Sequence, residues 1–476
     1  MSEVKNKIFA HDGLAQQETQ EPWLNIIRLA LPETISAMLL VFLPIAFDLY
    51  FVSSLKHTIS YQALGISTNV LHLLLKTSEA ISISVSTKIG FYNGAENYKM
   101  AGHFIINSLF AAIILGSLQI ILILLGVNLY LSWIGASLAI VPFARSFLQI
   151  QSIAILFSFI FMSLIGFFRG IKNTFVPLCA NILGVVVFLL FDYILIFGKF
   201  GAPAMGLQGS AIASVLRYLF ACVFLLAYLY YSDIRKSYLK NVRIKIDSKA
   251  ISQIIVFALP VMIDKSVIAV AYMWLYKLII PLSAYALLAM EVIKNFERLV
   301  FVPVHALAQV TNTLLSNNLG EGNFGAAWQN LRRTLFAAII VVTCLLLFLA
   351  FNAKQLVAIF DPQNLFRDEA TFVLRCVSGL VILDACQVIF AAALRTFGHV
   401  YTVMATRILF FLLFYLPASL LLNLAPCIEA PYKLLMFYGF FYLTIAMIGS
   451  YFFTKVYDLL SPAYSENSPL EAPNYH

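Results

Sequence analysis

Residues 167–198 read FFRGIKNTFVPLCANILGVVVFLLFDYILIFG. A basic turn, Arg169 to Lys172, leads into an apolar run over 174–197 whose one charged residue is Asp192. Crossing a bilayer takes roughly 20 mainly apolar residues, and this run meets that length. The pattern extends along the whole chain. Of its 476 residues, 61% are hydrophobic and 11% charged, with a mean hydropathy of +0.89. Soluble domains hold about 45–50% apolar and about 25% charged residues. The chain therefore reads as an all-α polytopic membrane protein without a large soluble domain.

Twelve spans are expected, at 25–47, 62–87, 103–127, 141–166, 174–197, 208–231, 251–279, 286–315, 333–351, 369–393, 401–423 and 431–454. The second and eighth are the least apolar, because they carry His72, Lys76, Glu79, Glu291, Lys294 and Glu297. Charged residues inside a span face protein or a wet cavity, not lipid. The first 23 residues lack the apolar core of a signal peptide and read as a cytoplasmic tail, as does the polar stretch 456–476. The six cysteines lie in or beside apolar runs without ligand-like spacing, so no metal or disulfide is expected.

Loop charge orients the spans. The link after the sixth span, SDIRKSYLKNVRIKIDSK, carries Arg235, Lys236, Lys240, Arg243, Lys245 and Lys249. Lys88, Lys99, Arg169, Lys172, Arg332, Arg333 and Arg395 fall on the same side, against five basic residues opposite. Positive loops face the cytoplasm, which puts both termini inside an inner (cell) membrane. The formal charge of +8 is explained by this topology and does not call for a nucleic-acid partner.

The chain also repeats. LALP at 29–32 returns as FALP at 257–260, GAEN at 94–97 as GEGN at 320–323, SLFAA at 108–112 as TLFAA at 334–338, and FFRG at 167–170 as ALRT at 393–396. The offset is 228 residues for the first pair and 226 for the others. Two parallel six-span bundles follow: an N-lobe over 24–231 and a C-lobe over 251–455, joined by the basic linker 232–250. Parallel repeats with a path between them are a transporter design, although a channel or membrane enzyme can also be duplicated.

Buried acids sharpen this reading. An ionised Asp at a span's centre costs about 2.5–3.5 kcal/mol on insertion scales. A partner cation or a bound proton offsets that cost, and either makes the residue a reversible cation site. An acid that only hydrogen-bonds a neighbouring helix is the plainer alternative. Asp48 lies four residues after Pro44, which withholds a backbone donor. Asp384 shares a helix face with Gln387, and Glu291 and Glu297 sit in the eighth span. Asp264 and Lys265 are expected to form a structural pair, and Lys76 and Glu79 to neutralise each other. At the 226 offset, Asp48, Asp192 and Asp384 map to Trp274, Ala418 and Ser158, so the charged chemistry is not duplicated. Tyr50, Tyr61, Tyr193, Tyr272, Trp274 and Tyr276 fall in spans that would line a central path, where aromatic faces attract organic cations.

Four pieces taken together resemble the multidrug and toxic compound extrusion (MATE) family, within the superfamily that also holds lipid-linked oligosaccharide flippases. They are LALPETISAMLLVFLPIAFDLYFVSSL, the GAEN and GEGN loops, FFRGIKNTFVPLCANILGVVVFLLFDYILIFGKFGAPAMGLQGSAIASVL, and DACQVIFAAALRTFG. The resemblance covers about residues 24–455. It implies a twelve-helix, two-lobe antiporter, not an enzyme, that exports amphipathic or cationic small molecules as a monomer. A proton or sodium gradient would drive it, without another cofactor. Carried over, Asp48 and Asp192 match the family's N-lobe coupling acids and Asp384 its C-lobe acid, any of which could hold sodium in place of a proton. Ser214 stands where a small hydroxyl residue is common. Phe188 replaces an Asn common one turn before the fifth-span acid, which weighs against sodium at Asp192. Glu291, Gln387, Tyr50, Tyr193, Tyr272, Trp274 and Ser214 are the candidate cavity residues. A lipid-linked precursor flippase is the alternative, marked by a cationic cavity. A membrane-embedded enzyme is disfavoured because H-E-x-x-H, G-x-S-x-G and Walker motifs are missing.

Overall fold

The structure of the chain, a computed structural model, describes residues 23–54, 58–133, 136–240, 245–279, 284–361, 364–423 and 430–460. Lipid offers no partners to backbone N–H and C=O groups, so an apolar chain satisfies them within helices. Among the described residues there is no strand. The first six helices are α1 (Trp23–Ser54), α2 (Thr58–Gly94), α3 (Tyr98–Trp133), α4 (Val141–Gly170), α5 (Phe175–Phe197) and α6 (Leu207–Tyr231). A short linker helix, Ile234–Tyr238, follows. The second six begin with α7 (Ser248–Ile279), α8 (Ala284–Gly320) and α9 (Phe324–Phe360). Next come α10, broken into Arg367–Ser378 and Val381–Thr396, then α11 (Val400–Asn423) and α12 (Ala430–Leu460).

Every expected span lies on one of these helices. Among the described residues ten are individually long and apolar enough to cross a membrane, and the two halves of α10 join as a pair bent by 46°. The remaining helix, α2, is one of the two spans that read weakest. Two features were not legible in the sequence. One is the break of α10 at Gly379 and Leu380. The other is a π-helical turn in α11 at Phe411–Tyr415, two residues before Pro417. An inserted residue of this kind absorbs the missing donor and ring clash of a proline inside a helix.

Among the described residues the helices build two large hydrophobic cores, one chiefly from α1–α6 and one from α7–α12, with a small third cluster of Ala80, Ile83, Phe257, Val261 and Val400 between them. The leading ends of α1 and α7 cross over. Ile26 and Leu29 of α1 belong to the second core, and Ile251, Ile254 and Ala258 of α7 to the first. The lobes are thus laced together at the end of the spans that carries the linker, called here the linker end.

At that end α2 and α8 form a tight seam. A Cβ on Gly94 would stand 1.9 Å from the Asn317 carbonyl oxygen, and one on Gly320 would stand 2.0 Å from that of Phe91. Backbone meets backbone, so only glycine fits. Polar pairs lock the seam: Asn93 Nδ2 donates to Asn317 Oδ1 at 2.6 Å and Asn312 Nδ2 to Ser86 Oγ at 2.7 Å. Asn312 Oδ1 accepts from Thr87 at 2.9 Å and Thr396 at 2.7 Å. The GAEN and GEGN loops now have a physical account. Their glycines let the lobes touch, and their asparagines cap the next helix, Asn97 accepting from Met100 N–H at 3.2 Å and Asn323 from Ala326 N–H at 2.9 Å.

The linker docks on this end as well. Tyr238 Oη donates to Asn93 Oδ1 at 2.5 Å. Asp247 accepts from His103 Nε2 at 3.2 Å and from the Lys249 N–H at 2.9 Å. These bonds hold the Asp247 carboxyl below the usual carboxylate range.

Candidate functional site

Asp192 is fully buried on α5. It shares a helix face with Gly184 and Phe188, spaced at four-residue intervals. Arg217 of α6 packs against that face. Its Cγ lies 3.4 Å from the position of a Gly184 Cβ, and its guanidinium stands 6.0 Å from the Phe188 ring centre. Arg217 Nη2 also donates to the Leu40 carbonyl of α1 at 3.3 Å. Leu40 lies four residues before Pro44, so that carbonyl is the one proline leaves without its helical donor. A resident guanidinium therefore sits within two turns of Asp192 and bridges α6 to α1. Asp48 lies in α1 one turn beyond Pro44, and its side chain is outside the described residues.

The other expected N-lobe residues lie nearer the end opposite the linker. Tyr50 is 65% and Tyr193 42% exposed, and the Tyr193 ring packs 6.0 Å from Phe51. Ser214 accepts from Gln151 Nε2 at 3.1 Å.

In the C-lobe, Asp264 and Lys265 do not pair with each other, contrary to expectation. Successive helical residues point about 100° apart, so adjacent side chains do not face. Asp264, 1% exposed, accepts from Arg407 Nη1 at 2.6 Å and from Arg395 Nη2. Lys265 crosses the lobe boundary to Glu79 Oε2 at 2.7 Å, and Lys76 donates to Glu79 Oε1 at 2.7 Å as expected. Arg169, the N-lobe counterpart of Arg395, forms a fork to Glu33 at 2.9 and 2.6 Å and donates to Ser82 at 2.9 Å. Each lobe thus pins its Arg turn to an acid on its own first helix.

Between these groups lies a cavity of about 60 Å³. Lys265, His305, Gln309, Asn312, Arg395 and Arg407 supply its polar wall, and Ile83, Ile268 and Val388 part of its apolar wall. The face of α10 turned to it holds Val388, Ala391, Ala392 and Arg395. Gln387, one position off that stripe, is buried against Gly449 of α12 instead. Asp384 is half-buried in the first turn after the α10 break, where a helix dipole favours an anion.

A second polar cluster lies on the half of α8 away from the linker. Tyr276 Oη donates to Glu291 and accepts from Lys294 at 2.7 Å, while Tyr442 donates to Glu297 at 2.7 Å. Lys294 stands 5.8 Å from the Tyr272 ring centre, a cation already supplied by the chain. Trp274 donates through its indole N–H to Ser419 at 3.0 Å within the lobe. Arg217, Arg407 and Glu33 escaped the sequence reading. The signal for them was available: a charge within an apolar run is costly and marks a site or a partner.

A family model described as MatE matches residues 34–194 and 260–421, two stretches that start 226 residues apart, like the internal repeat. The chain belongs to the MatE family. The described helices of this MatE chain fit a multi-pass membrane protein. It is 24% identical over 269 residues to Multidrug resistance protein MdtK of Edwardsiella ictaluri (strain 93-146), covering 56% of this chain and 58% of that one. The chain thus spans less than two thirds of the length of that relative. It is also 24% identical over 401 residues to the FAD transporter of Shewanella oneidensis (strain MR-1), covering 83% and 87%. Among solved structures, a MOP superfamily transporter from Pyrococcus furiosus, described as having a binding pocket of reverse polarity, superposes with a TM-score of 0.83. It is 18% identical and covers 95% of this chain and 98% of that one, which establishes the shared fold.

Proposed function

We propose that this MatE protein is a secondary active exporter of amphipathic small molecules, driven by protons or sodium ions moving inward, and that it works by alternating access. The observation that carries this reading is the seam. The closest backbone contacts and the polar locks between the lobes gather at the linker end, through Gly94, Gly320 and Asn312. Taking the basic linker as cytoplasmic, the protein stands closed to the cytoplasm. Separating the seam would open it to the cytoplasm and, in alternating access, accompany closure of the opposite face. The names of the relatives, multidrug and FAD transporters, agree with small-molecule cargo.

In this reading Asp192 binds the coupling ion, with Arg217 as the resident charge that takes over when the ion leaves. An ion drives the cycle only by stabilising one conformation more than the other. Asp48 and Asp384 are the further ion-coupling candidates. The test is uptake of a fluorescent organic cation into proteoliposomes under an imposed pH or sodium gradient. Wild-type protein is expected to transport, and Asp192→Asn to lose at least nine tenths of the gradient-driven rate. Undiminished rates in both Asp192→Asn and Asp48→Asn would exclude coupling through these acids. A flippase of a lipid-linked precursor is the second reading, favoured by the basic cavity. Scrambling of such a lipid in the same vesicles, with no gradient-driven uptake, would establish it.

A further inference from the structure

We propose that the cavity walled by Lys265, Gln309, Arg395 and Arg407 is a site for an oxyanion, the carboxylate or phosphate end of an amphipathic cargo. The exporter reading supplies only the word cargo; the anion site follows from the geometry. Two charge triads reach the cavity through Lys265, Arg395 and Arg407: Lys76 and Lys265 share Glu79, and Arg395 and Arg407 share Asp264. Lys76 is half exposed to solvent, whereas the triad of Arg395, Asp264 and Arg407 is buried and holds one positive charge more than its carboxylate balances. An uncompensated buried cation is costly, and a charge-assisted bond to a bound oxyanion relieves that cost.

The donors for such a bond are in place. Each guanidinium has five N–H groups, and Asp264 engages one nitrogen of each. The Nε of Arg395 and the Nε of Arg407 are buried without a hydrogen-bond partner among the described residues, and both arginines line the cavity. Arg407 is 2% exposed, so bulk water does not satisfy it. The side-chain oxygen of Gln309 is also buried and unpartnered there, and turning the amide presents its NH2 group to the cavity instead.

The duplicated scaffold provides an internal control. In the N-lobe, Arg169 has its carboxylate fork and a hydroxyl besides, and the position equivalent to Arg407 is Asn181. Pinning the Arg turn therefore does not require a second arginine. Two arginines on one carboxylate are found on the C-lobe side, which supplies most of the cavity wall. The cavity's 60 Å³ is several times the roughly 10–15 Å³ that one water needs, but well below a drug-sized pocket of about 300 Å³ or more. The site suits an anionic end group, with the apolar part of the molecule along Ile83, Ile268 and Val388. Lys265 would then leave Glu79 for the ligand, loosening an ion pair that crosses the lobe boundary.

Calorimetric titration of the purified full chain with pyrophosphate and, separately, succinate tests the proposal. Saturable binding of at least one is expected, weakened fivefold or more by Arg407→Gln. Because Arg407 also holds Asp264, Gln309→Leu serves as a second variant that removes the amide donor from the cavity wall and leaves every ion pair intact. It too is expected to weaken binding fivefold or more, with an unchanged melting midpoint. Failure of both oxyanions to saturate, or a loss under fivefold in Gln309→Leu, overturns the proposal. If neither binds while a gradient still drives uptake of an organic cation, the anion site falls and the exporter reading stands. If pyrophosphate binds as expected while no gradient drives uptake, the anion site stands and the exporter reading falls.

Discussion

Pro44 and Arg217 are 173 positions apart, yet one explains the other. Proline leaves the Leu40 carbonyl without a donor, and the Arg217 guanidinium supplies one at 3.3 Å. The two substitutions should therefore couple. Arg217→Leu is expected to destabilise by about 1.5–3 kcal/mol, the range for hydrogen bonds to charged groups. Pro44→Ala restores a helical N–H for Leu40, so in that background the same change should cost less by about 0.5–1.5 kcal/mol. Denaturation midpoints of the four proteins close this cycle, and strict additivity would sever the link. Gly322 gives a simpler case. It holds φ at +72° with open space where a Cβ would stand, so Gly322→Ala should lose about 1–2 kcal/mol from backbone strain alone. A melting curve unchanged within error would contradict it. Much of this scale was legible in sequence. A carboxylate in an apolar run is conspicuous, which is how Asp192, Asp384 and Glu79 were found. Partnership was not legible: Asp264 and Lys265 adjoin in the chain yet serve different cations and acids, because neighbouring residues on a helix diverge.

Among the elements, the two spans that looked least apolar are the two that meet. α8 is the most enclosed of the span candidates, with 78% of its window buried, and α2 packs beside it along the seam. Their polar residues face protein, so low hydropathy marks an inner position and not a weak helix. The repeat was legible because small residues and caps recur at fixed spacing. The α10 break and the α11 π-turn were not, since they depend on how each helix packs. The seam itself makes a prediction. Gly94→Val and Gly320→Val place atoms where the partner backbone stands at about 2 Å, so the linker end cannot close. Spin labels at Lys99 and Glu321, at the linker ends of the two lobes, should then show a longer separation than in the parent protein. Identical distance distributions would mean that the seam does not set the conformation.

For the whole molecule, the lobes share a scaffold but differ in charge. The N-lobe holds buried Asp192 on the α5 face against which Arg217 packs, and the C-lobe holds two buried arginines sharing one carboxylate. A cation entering through one lobe and an anionic cargo leaving through the other move charge in the same sense. One proton in and one monoanion out carry two positive charges inward, whereas a proton exchanged for a monocation carries none. The membrane potential contributes about 2.3 kcal/mol per charge per 100 mV, so the first exchange gains about 4.6 kcal/mol from 100 mV and the second gains nothing. Export of an anionic amphipath should therefore accelerate when potassium and valinomycin set an interior-negative potential at constant pH, and slow when the potential is reversed. Indifference to the potential would show the exchange to be neutral, leaving the C-lobe arginines to a part other than binding the cargo's charge.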